Sequence, residues 1–202
     1  MMNEPLRFDP ERPVDPDLLA RILEGATLAP SPYNLQPWRF LVVRDAANRR
    51  KLQACAWNQP IVGQAPVIVL VLGFHYPDQT HLEAMLARRL ELGSCTPERA
   101  AETRGRAAAA LGRATDRSLW ATRSSMFAAS TLMHAATSLG ISSALLDEFD
   151  AETLRATFGV PDDHAVCCLI ALGWADQAAP FAGRFGLDEV CYAEHFGQPW
   201  TG

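Results

Sequence analysis

A proline-rich loop carries the polar side chains best suited to position a flat ligand. It covers residues 29–38, reads APSPYNLQPW, and we call it the proline loop. Each proline fixes its own φ and pushes the residue before it towards extended geometry, so the loop cannot be helical. Its Ser, Asn and Gln side chains offer hydroxyl and amide groups for hydrogen bonding to a ligand. The alternative is a simple connector whose polar groups bond the loop's own backbone.

The sequence on both sides of the proline loop predicts a helix followed by a strand. Apolar residues recur at helical spacing between positions 18 and 26, and Asp15 supplies an N-cap. Residues 39–43 form an apolar run of strand type. Two further runs, at residues 65–72 and 165–172, lack polar alternation, which predicts strands buried on both faces. Strands separated by helices predict one α+β or α/β sandwich around a single sheet, in one domain.

The longest predicted helix covers residues 118–139 and ends before Gly140, which is a favoured residue at a helix C-terminus. Between Met126 and Ser138 this helix is small or apolar almost all round and carries no Asp, Glu, Lys or Arg. A helix of this kind is buried on every side, either inside the domain or in a dimer interface.

Composition and charge exclude several classes of function. The chain has 202 residues, of which 49% are hydrophobic and 20% charged, which fits one globular domain with a real core. A net charge of -5 argues against nucleic acid or an anionic membrane as the main partner. Residues 65–74, the longest apolar stretch, are too few to span a bilayer. Residues 1–9 do not have a signal-peptide pattern, so we expect a cytoplasmic protein.

The cysteines and histidines predict no metal site. Five cysteines form an odd set without a C-x-x-C pattern, which indicates reduced thiols. His75, His81 and Glu83 lie near one another in the sequence but lack the i, i+4 spacing of a helical zinc motif. The sequence also has no G-x-S-x-G, P-loop or G-x-G-x-x-G pattern, so hydrolase, kinase and Rossmann interpretations have no support.

The motif Pro30-Ser31-x-x-Asn34-x-Gln36-Pro37-Trp38, followed by an apolar strand, resembles the flavin-contacting loop of the nitroreductase family. Members of this family are FMN-dependent homodimeric flavoproteins. Trp57-Asn58-Gln59 is similar to the family segment in which an Asn side chain meets the edge of the flavin ring. The long helix and Asp147-Glu148-Phe149-Asp150 are similar to the family's central helix and the turn after it. Pro180-Phe181-x-Gly183-Arg184 resembles the C-terminal segment whose Arg binds the FMN phosphate.

The resemblance implies a set of cofactor-binding residues and one substrate-binding residue. The implied FMN contacts are Ser31, Pro32, Asn34, Gln36, Asn58, Ser124, Asp147, Glu148, Arg184 and Arg7. Ser124 falls where a polar residue, often Gln, hydrogen-bonds the flavin, and Asp147 and Glu148 fall where backbone amides approach flavin N5. Tyr33 is the candidate to stack on bound substrate, and the alternative for its ring is packing within the loop. No side chain is assigned as catalytic, because the cofactor carries the chemistry.

Two features depart from the family pattern. The family usually opens with a basic R-x-S-x-R/K cluster that grips the phosphate, and alignment on Phe8 places Met2, Glu4 and Leu6 at those positions. Arg7 is then the remaining candidate, although a phosphate is normally held by several charged hydrogen bonds. The second departure is Glu148, which stands where many members have Gly. A carboxylate beside N5 would disfavour the anionic reduced flavin.

The fold and function that the resemblance implies are those of an FMN-dependent oxidoreductase. The expected fold is an α+β sandwich with a central, mainly antiparallel sheet flanked by helices and a C-terminal segment that can reach the partner subunit of a homodimer. The expected reaction is hydride transfer from NAD(P)H to flavin N5, then electron transfer to a nitroaromatic, quinone or similar acceptor. A degenerate dimer that binds a ligand without turnover is the alternative. A related dehalogenase or flavin-cleaving enzyme, differing in a lid within residues 78–118, is the third possibility.

Overall fold

The computed structural model describes residues 6–177 and 182–200. In chain order its strands are β1 (Arg7–Phe8), β2 (Trp38–Val43), β3 (Val67–Phe74), β4 (Ser142–Leu146), β5 (His164–Gly173) and β6 (Ala175–Gln177). Its α-helices are α1 (Pro16–Thr27), α2 (Ala46–Cys55), α3 (Pro60–Gln64), α4 (Pro77–Thr80), α5 (Leu82–Glu91), α6 (Pro97–Gly112), α7 (Arg117–Ser138), α8 (Ala151–Phe158) and α9 (Leu187–Val190). The proline loop contains one 3₁₀ turn, Pro32–Asn34, between α1 and β2.

Four strands form the central sheet in the order β2-β3-β5-β4, and every neighbouring pair is antiparallel. The predicted antiparallel α+β sandwich is therefore confirmed. β1 and β6 form a separate two-stranded sheet, which the sequence did not predict. Strands of two or three residues carry no periodicity, and this pair joins parts of the chain that are far apart in sequence.

The two faces of the central sheet bury two different cores. Along β3, Ile68 and Leu70 face a cluster that includes residues of α2 and α8, while Val69 and Val71 face a cluster that includes residues of α1 and α7. Alternate strand residues point to opposite faces, so an apolar run without alternation is buried on both. Seven of the eight residues of β3 are buried, as the sequence predicted.

Asp side chains set the starts of the helices beside the sheet. Asp15 accepts hydrogen bonds from the backbone of residues 17 and 18, and Asp45 and Asp150 cap α2 and α8 in the same way. These groups satisfy backbone N–H donors that have no partner inside the helix. The helix start that the sequence indicated at Asp15 is therefore present in the structure.

The long helix α7 is buried on one side only. The buried residues of this helix are mostly small, namely Ala121, Ser124, Ser125, Ala128, Ala129, Leu132 and Ala136. The opposite side, the outer face of α7, includes Phe127, which is 54% exposed, and Leu119, which is 44% exposed. Burial inside the domain therefore does not account for the apolar character of the outer face, and burial in a dimer interface stays a prediction.

Helices α5 and α6 form a third cluster of their own. Leu82 and Leu86 of α5 pack with Ala107 and Leu111 of α6, and Leu35 from the proline loop completes the cluster. His81 separates α4 from α5, and residues 92–96 separate α5 from α6. This helical layer is therefore attached directly to the proline loop.

Candidate functional site

Most of the sequence-predicted cofactor residues fall into two groups at opposite edges of the central sheet. The proline loop leads into β2 at one edge, and Asp147 and Glu148 follow β4 at the other. Neighbouring strands lie about 4.8 Å apart, so β2 and β4 are separated by about 14 Å across the sheet. Among the described residues of a single chain, the two groups do not line the same cavity.

A cavity of about 680 Å³ lies at the β4 edge, and we call it the edge cavity. Its lining residues are Leu6, Arg7, Gln59, Pro60, Ile61, Gln64, Ala144, Leu145, Leu146, Asp147 and Glu148. The volume lies within the range of about 300–1,000 Å³ that is usual for small-ligand and cofactor sites. Three predicted residues, Arg7, Asp147 and Glu148, are in this lining, and the predicted Asn58 is the exposed neighbour of Gln59.

Short elements and side-chain hydrogen bonds build the wall of the edge cavity. The β1–β6 pair places Arg7 opposite Gln177 and so brings the start of the chain to the β4 side of the fold. Gln59 Nε2 donates to the Glu148 backbone carbonyl at 2.8 Å, which joins the two segments that line the cavity. Gln53 Nε2 in turn donates to the Gln59 carbonyl at 3.2 Å. Gln59 is thus a site residue that the sequence did not identify.

Backbone strain marks both segments that the sequence singled out. In the part of the chain that the structure describes, six non-glycine residues have positive φ. Five of them lie in these segments, namely Tyr33 (56°), Asn34 (57°), Gln36 (46°), Trp57 (48°) and Asn58 (58°). Such conformations cost about 1–3 kcal/mol each, persist only where the surroundings hold them, and cluster at ligand-binding sites. This is evidence for function that does not depend on the sequence motif.

Inside a single chain, the polar groups of the proline loop bond to one another. Ser31 Oγ accepts a hydrogen bond from the Gln36 backbone N–H at 2.9 Å, and Gln36 Nε2 donates to Asn34 Oδ1 at 3.2 Å. The alternative that these groups support the loop itself is therefore present in the structure. Asn34 is exposed, however. Pro32 is also exposed.

Tyr33, Ser124 and Arg184 lie away from the edge cavity. The Tyr33 ring packs against the α5–α6 cluster, which agrees with loop packing, and a role in substrate binding stays a prediction. Ser124 is only 3% exposed on the sheet side of α7. Arg184 is exposed in the C-terminal segment, where its Nη1 donates to the Gly183 carbonyl at 2.6 Å.

Four residues of the family comparison cannot be placed. Pro180 and Phe181 of the C-terminal motif, and Met2 and Glu4 at the positions of the basic cluster, lie outside the described residues.

The donor set of the edge cavity fits the ring of a flavin. Apolar walls such as Ile61 and Leu146 suit the faces of a flat ring, and the amides of Gln59 and Gln64 suit its polar edge. For a phosphate, Arg7 is the cation among the described lining residues, beside the carboxylates of residues 147 and 148. A phosphate carries nearly two negative charges, so Arg7 provides part of what it requires.

Residues 6–177 and 182–200 contain neither a candidate metal cluster nor a membrane-spanning helix. Within these ranges no three His, Cys, Asp or Glu side chains gather closely enough to hold a metal ion. None of the helices described there is both long and apolar enough to cross a bilayer.

The layered sandwich and its four-stranded antiparallel sheet have the nitroreductase fold, as solved structures show. A nitroreductase-like protein from Streptococcus mutans matches with a TM-score of 0.85 and 25% identity, over 94% of this chain and 92% of the other. A structure from Exiguobacterium sibiricum, solved in complex with FMN, matches with a TM-score of 0.82 and 23% identity, over 95% and 93% of the two chains.

Related sequences also match most of this chain. The family model described as the nitroreductase family matches residues 7–174. The chain belongs to the nitroreductase family. A Thermus thermophilus protein named NADH dehydrogenase is 36% identical over 88% of this chain and 85% of its own length. YodC of Bacillus subtilis, provisionally named an NAD(P)H nitroreductase, is 26% identical over 91% and 90% of the two chains.

Proposed function

We propose that this chain is an FMN-dependent oxidoreductase that takes electrons from NAD(P)H and passes them to a nitroaromatic, quinone or similar acceptor. Family membership and the names of its relatives make it an NAD(P)H-dependent oxidoreductase. The observation that carries the proposal of FMN is the edge cavity, which combines apolar walls, two side-chain amides and one arginine. A similar fold from another organism has been solved with FMN bound.

In this proposal the side chains bind and orient the cofactor rather than react. FMN, when bound, supplies the hydride and electron chemistry. Ile61 and the end of β4 pack against the ring, the Gln64 amide bonds its polar edge, and Arg7 neutralises part of the phosphate charge. Gln59 holds the backbone at Glu148 through its 2.8 Å hydrogen bond. This bond fixes the wall where backbone amides can face the ring.

The same proposal includes a homodimer in which the proline loop of one copy completes the edge cavity of the other. Two groups of implied cofactor residues lie at opposite edges of one sheet, so a second copy is the simplest way to unite them. The outer face of α7 offers apolar surface for this contact, with Phe127 at its centre. The C-terminal segment exposes Phe185 (77%) and Phe196 (90%), which suits a segment that packs on a partner.

A ligand-binding dimer without redox turnover is the second candidate, and one observation favours it. The described lining of the edge cavity has two carboxylates, Asp147 and Glu148, and a single arginine. Negative charge on the protein weakens the binding of a phosphate and of a reduced, anionic ring. This candidate differs from the first in one measurable property, because its ligand would not be reduced by NAD(P)H.

Titration with FMN tests whether the edge cavity is the cofactor site. We expect the quenching of flavin fluorescence to show saturable binding, and Ile61→Trp to weaken that binding at least about tenfold because the larger ring fills the cavity. Arg99→Ala is the matched control, since Arg99 lies on the exposed surface of α6 and its ion pair with Glu102 contributes little. Equal affinity in the wild type and in Ile61→Trp would contradict this placement.

A further inference from the structure

His81 connects the proline loop to the central sheet through both of its ring nitrogens. It lies between α4 and α5, and its Nδ1 is 2.9 Å from the Leu35 backbone carbonyl oxygen. Its Nε2 is 2.6 Å from Arg39 Nη2, at the start of β2. One side chain thus joins the loop, the α5–α6 layer and the sheet.

The two partners of His81 determine its protonation state. The Leu35 carbonyl can only accept, so Nδ1 carries the hydrogen and donates it. The Arg39 guanidinium can only donate, so Nε2 is the bare nitrogen that accepts. His81 is therefore neutral in this arrangement. The net effect of the surroundings is to lower the pKa of His81 from its usual range: burial is the main cause, the hydrogen bond to Leu35 opposes it, and the positive charge of Arg39 lowers the pKa further.

The groups that surround His81 do not favour a second proton on its ring. Its ring packs on Phe74 of β3 with 5.4 Å between ring centroids, and the His164 ring of β5 packs on Phe74 at 5.0 Å. His164 Nδ1 lies 2.7 Å from Asp163 Oδ1, so the nearest carboxylate on that side already has a partner. On α4, the Asp78 carboxylate is likewise paired, with Arg117 of α7 at 2.6 Å. The nearest positive charge facing His81 itself is Arg39.

What His81 holds is a strained loop. Tyr33, Asn34 and Gln36 all have positive φ, and such backbone relaxes unless it is held at both ends. The Leu35 side chain is fully buried in the α5–α6 cluster, and its carbonyl is the atom that His81 binds. One turn after His81, Met85 Sδ accepts a hydrogen bond from Gln36 Nε2 at 3.3 Å. α5 therefore holds two consecutive residues of the loop.

We propose that neutral His81 is a positioning residue that keeps the proline loop in its strained conformation, and that protonation of His81 releases the loop. A proton on Nε2 removes the acceptor for Arg39 and places two cations side by side, so the ring must leave its position and lose the Leu35 contact as well. The loop then relaxes at acidic pH. A consequence for cofactor affinity rests on the proposed function, in which the loop contacts FMN.

Two substitutions separate the two bonds of His81. His81→Asn places an amide N–H where Nδ1 lies, so it keeps a donor for the Leu35 carbonyl and cannot titrate. His81→Gln places its amide where Nε2 lies, so it keeps an acceptor for Arg39 but loses the donor to Leu35. His75→Gln is the matched control, because burial also lowers the pKa of His75, while its ring packs against Tyr76 rather than hydrogen-bonding Leu35.

The first measurement is amide hydrogen exchange of residues 31–36 in the protein without FMN, at about pH 7.5 and about pH 5. In the wild type and in His75→Gln we expect protection factors to fall at least about fivefold on acidification. In His81→Asn we expect them to stay constant within about twofold, and in His81→Gln to be low at both pH values. The same acid response in the wild type and in His81→Asn would overturn the proposal.

The second measurement is the FMN dissociation constant of the same proteins at the same two pH values. The FMN phosphate itself titrates near pH 6, so acid changes FMN binding in every variant. The acid-induced change in the wild type is therefore compared with the acid-induced change in His81→Asn. We expect acid to weaken wild-type binding at least about threefold more than binding by His81→Asn. If loop protection responds as described while FMN affinity does not, His81 positions the loop and the proposed contact between loop and FMN is wrong.

Discussion

Leu35 offers a direct test of how firmly the proline loop is anchored. Its side chain is fully buried between α5 and α6, where it contacts a cluster that includes Leu82, Leu86 and Leu111. Replacing a buried Leu by Ala costs about 2–5 kcal/mol, depending on how far the site can collapse. This cluster is small and lies between surface helices, so we expect Leu35→Ala to lower the free energy of unfolding by about 2–3 kcal/mol.

The matched control is Leu28→Ala, immediately before the same loop. Leu28 is 82% exposed, so the same chemical change should alter the free energy of unfolding by less than about 0.5 kcal/mol. Urea unfolding of both variants and the wild type is to be followed at one protein concentration, because an oligomer gains stability from mass action. FMN affinity should fall at least about tenfold in Leu35→Ala only. A Leu35→Ala protein as stable as Leu28→Ala would refute the anchoring of the loop.

The remaining predictions concern phosphate, subunit contact and pH. Arg7→Ala should weaken FMN binding about tenfold or more, because a charged hydrogen bond contributes about 1.5–3 kcal/mol. In the same titration the affinity for riboflavin, which has no phosphate, should stay nearly unchanged. Phe127→Arg should shift the sedimentation coefficient from dimer to monomer, since it places a charge on the outer face of α7; an unchanged coefficient would remove this face from the interface. Burial lowers the pKa values of His75 and His81 below 6.5 in the folded chain. The unfolded chain therefore binds these protons first as the pH falls. The free energy of unfolding has its full value above about pH 6.5 and decreases below it. Urea unfolding between about pH 7 and pH 5 should show a smaller loss in a double variant, His75→Gln with His81→Asn, and an equal loss would contradict the assignment.

Much of the fold was predictable because its signals are local. Asp15 caps the helix that the sequence assigned to it. The apolar run of β3 is a buried strand, and β5 is buried from Cys168 onward but only partly buried before it. The apolar pattern of each run is local, so recognising it needs no knowledge of the partner strands. The resemblance to the nitroreductase family, which rests chiefly on the proline loop, is confirmed by a family match that covers most of the chain.

The arrangement of the site was not predictable from the sequence, for a physical reason. The order of strands along the chain does not show which strands form the edges of a sheet. The sequence therefore suggested that residues 31–36 and 147–148 form one site, although β2 and β4 are opposite edges of the sheet. Gln59 and His81 were missed as supporting residues because their partners are backbone carbonyls 89 and 46 positions away in the chain. Backbone carbonyls leave no trace in the sequence, and neither residue had a local signal that could have identified its role.

The central claim, that this chain carries out NAD(P)H-dependent redox chemistry on FMN, is tested most directly by an anaerobic visible spectrum. The protein is purified or loaded with FMN, its flavin absorbance is recorded, and NADH or NADPH is then added without oxygen. We predict that the flavin bands bleach and return when an acceptor such as a quinone is supplied. A protein that ignores micromolar FMN, or that binds FMN but is not bleached by either nucleotide, would contradict the claim and favour a ligand-binding dimer without turnover.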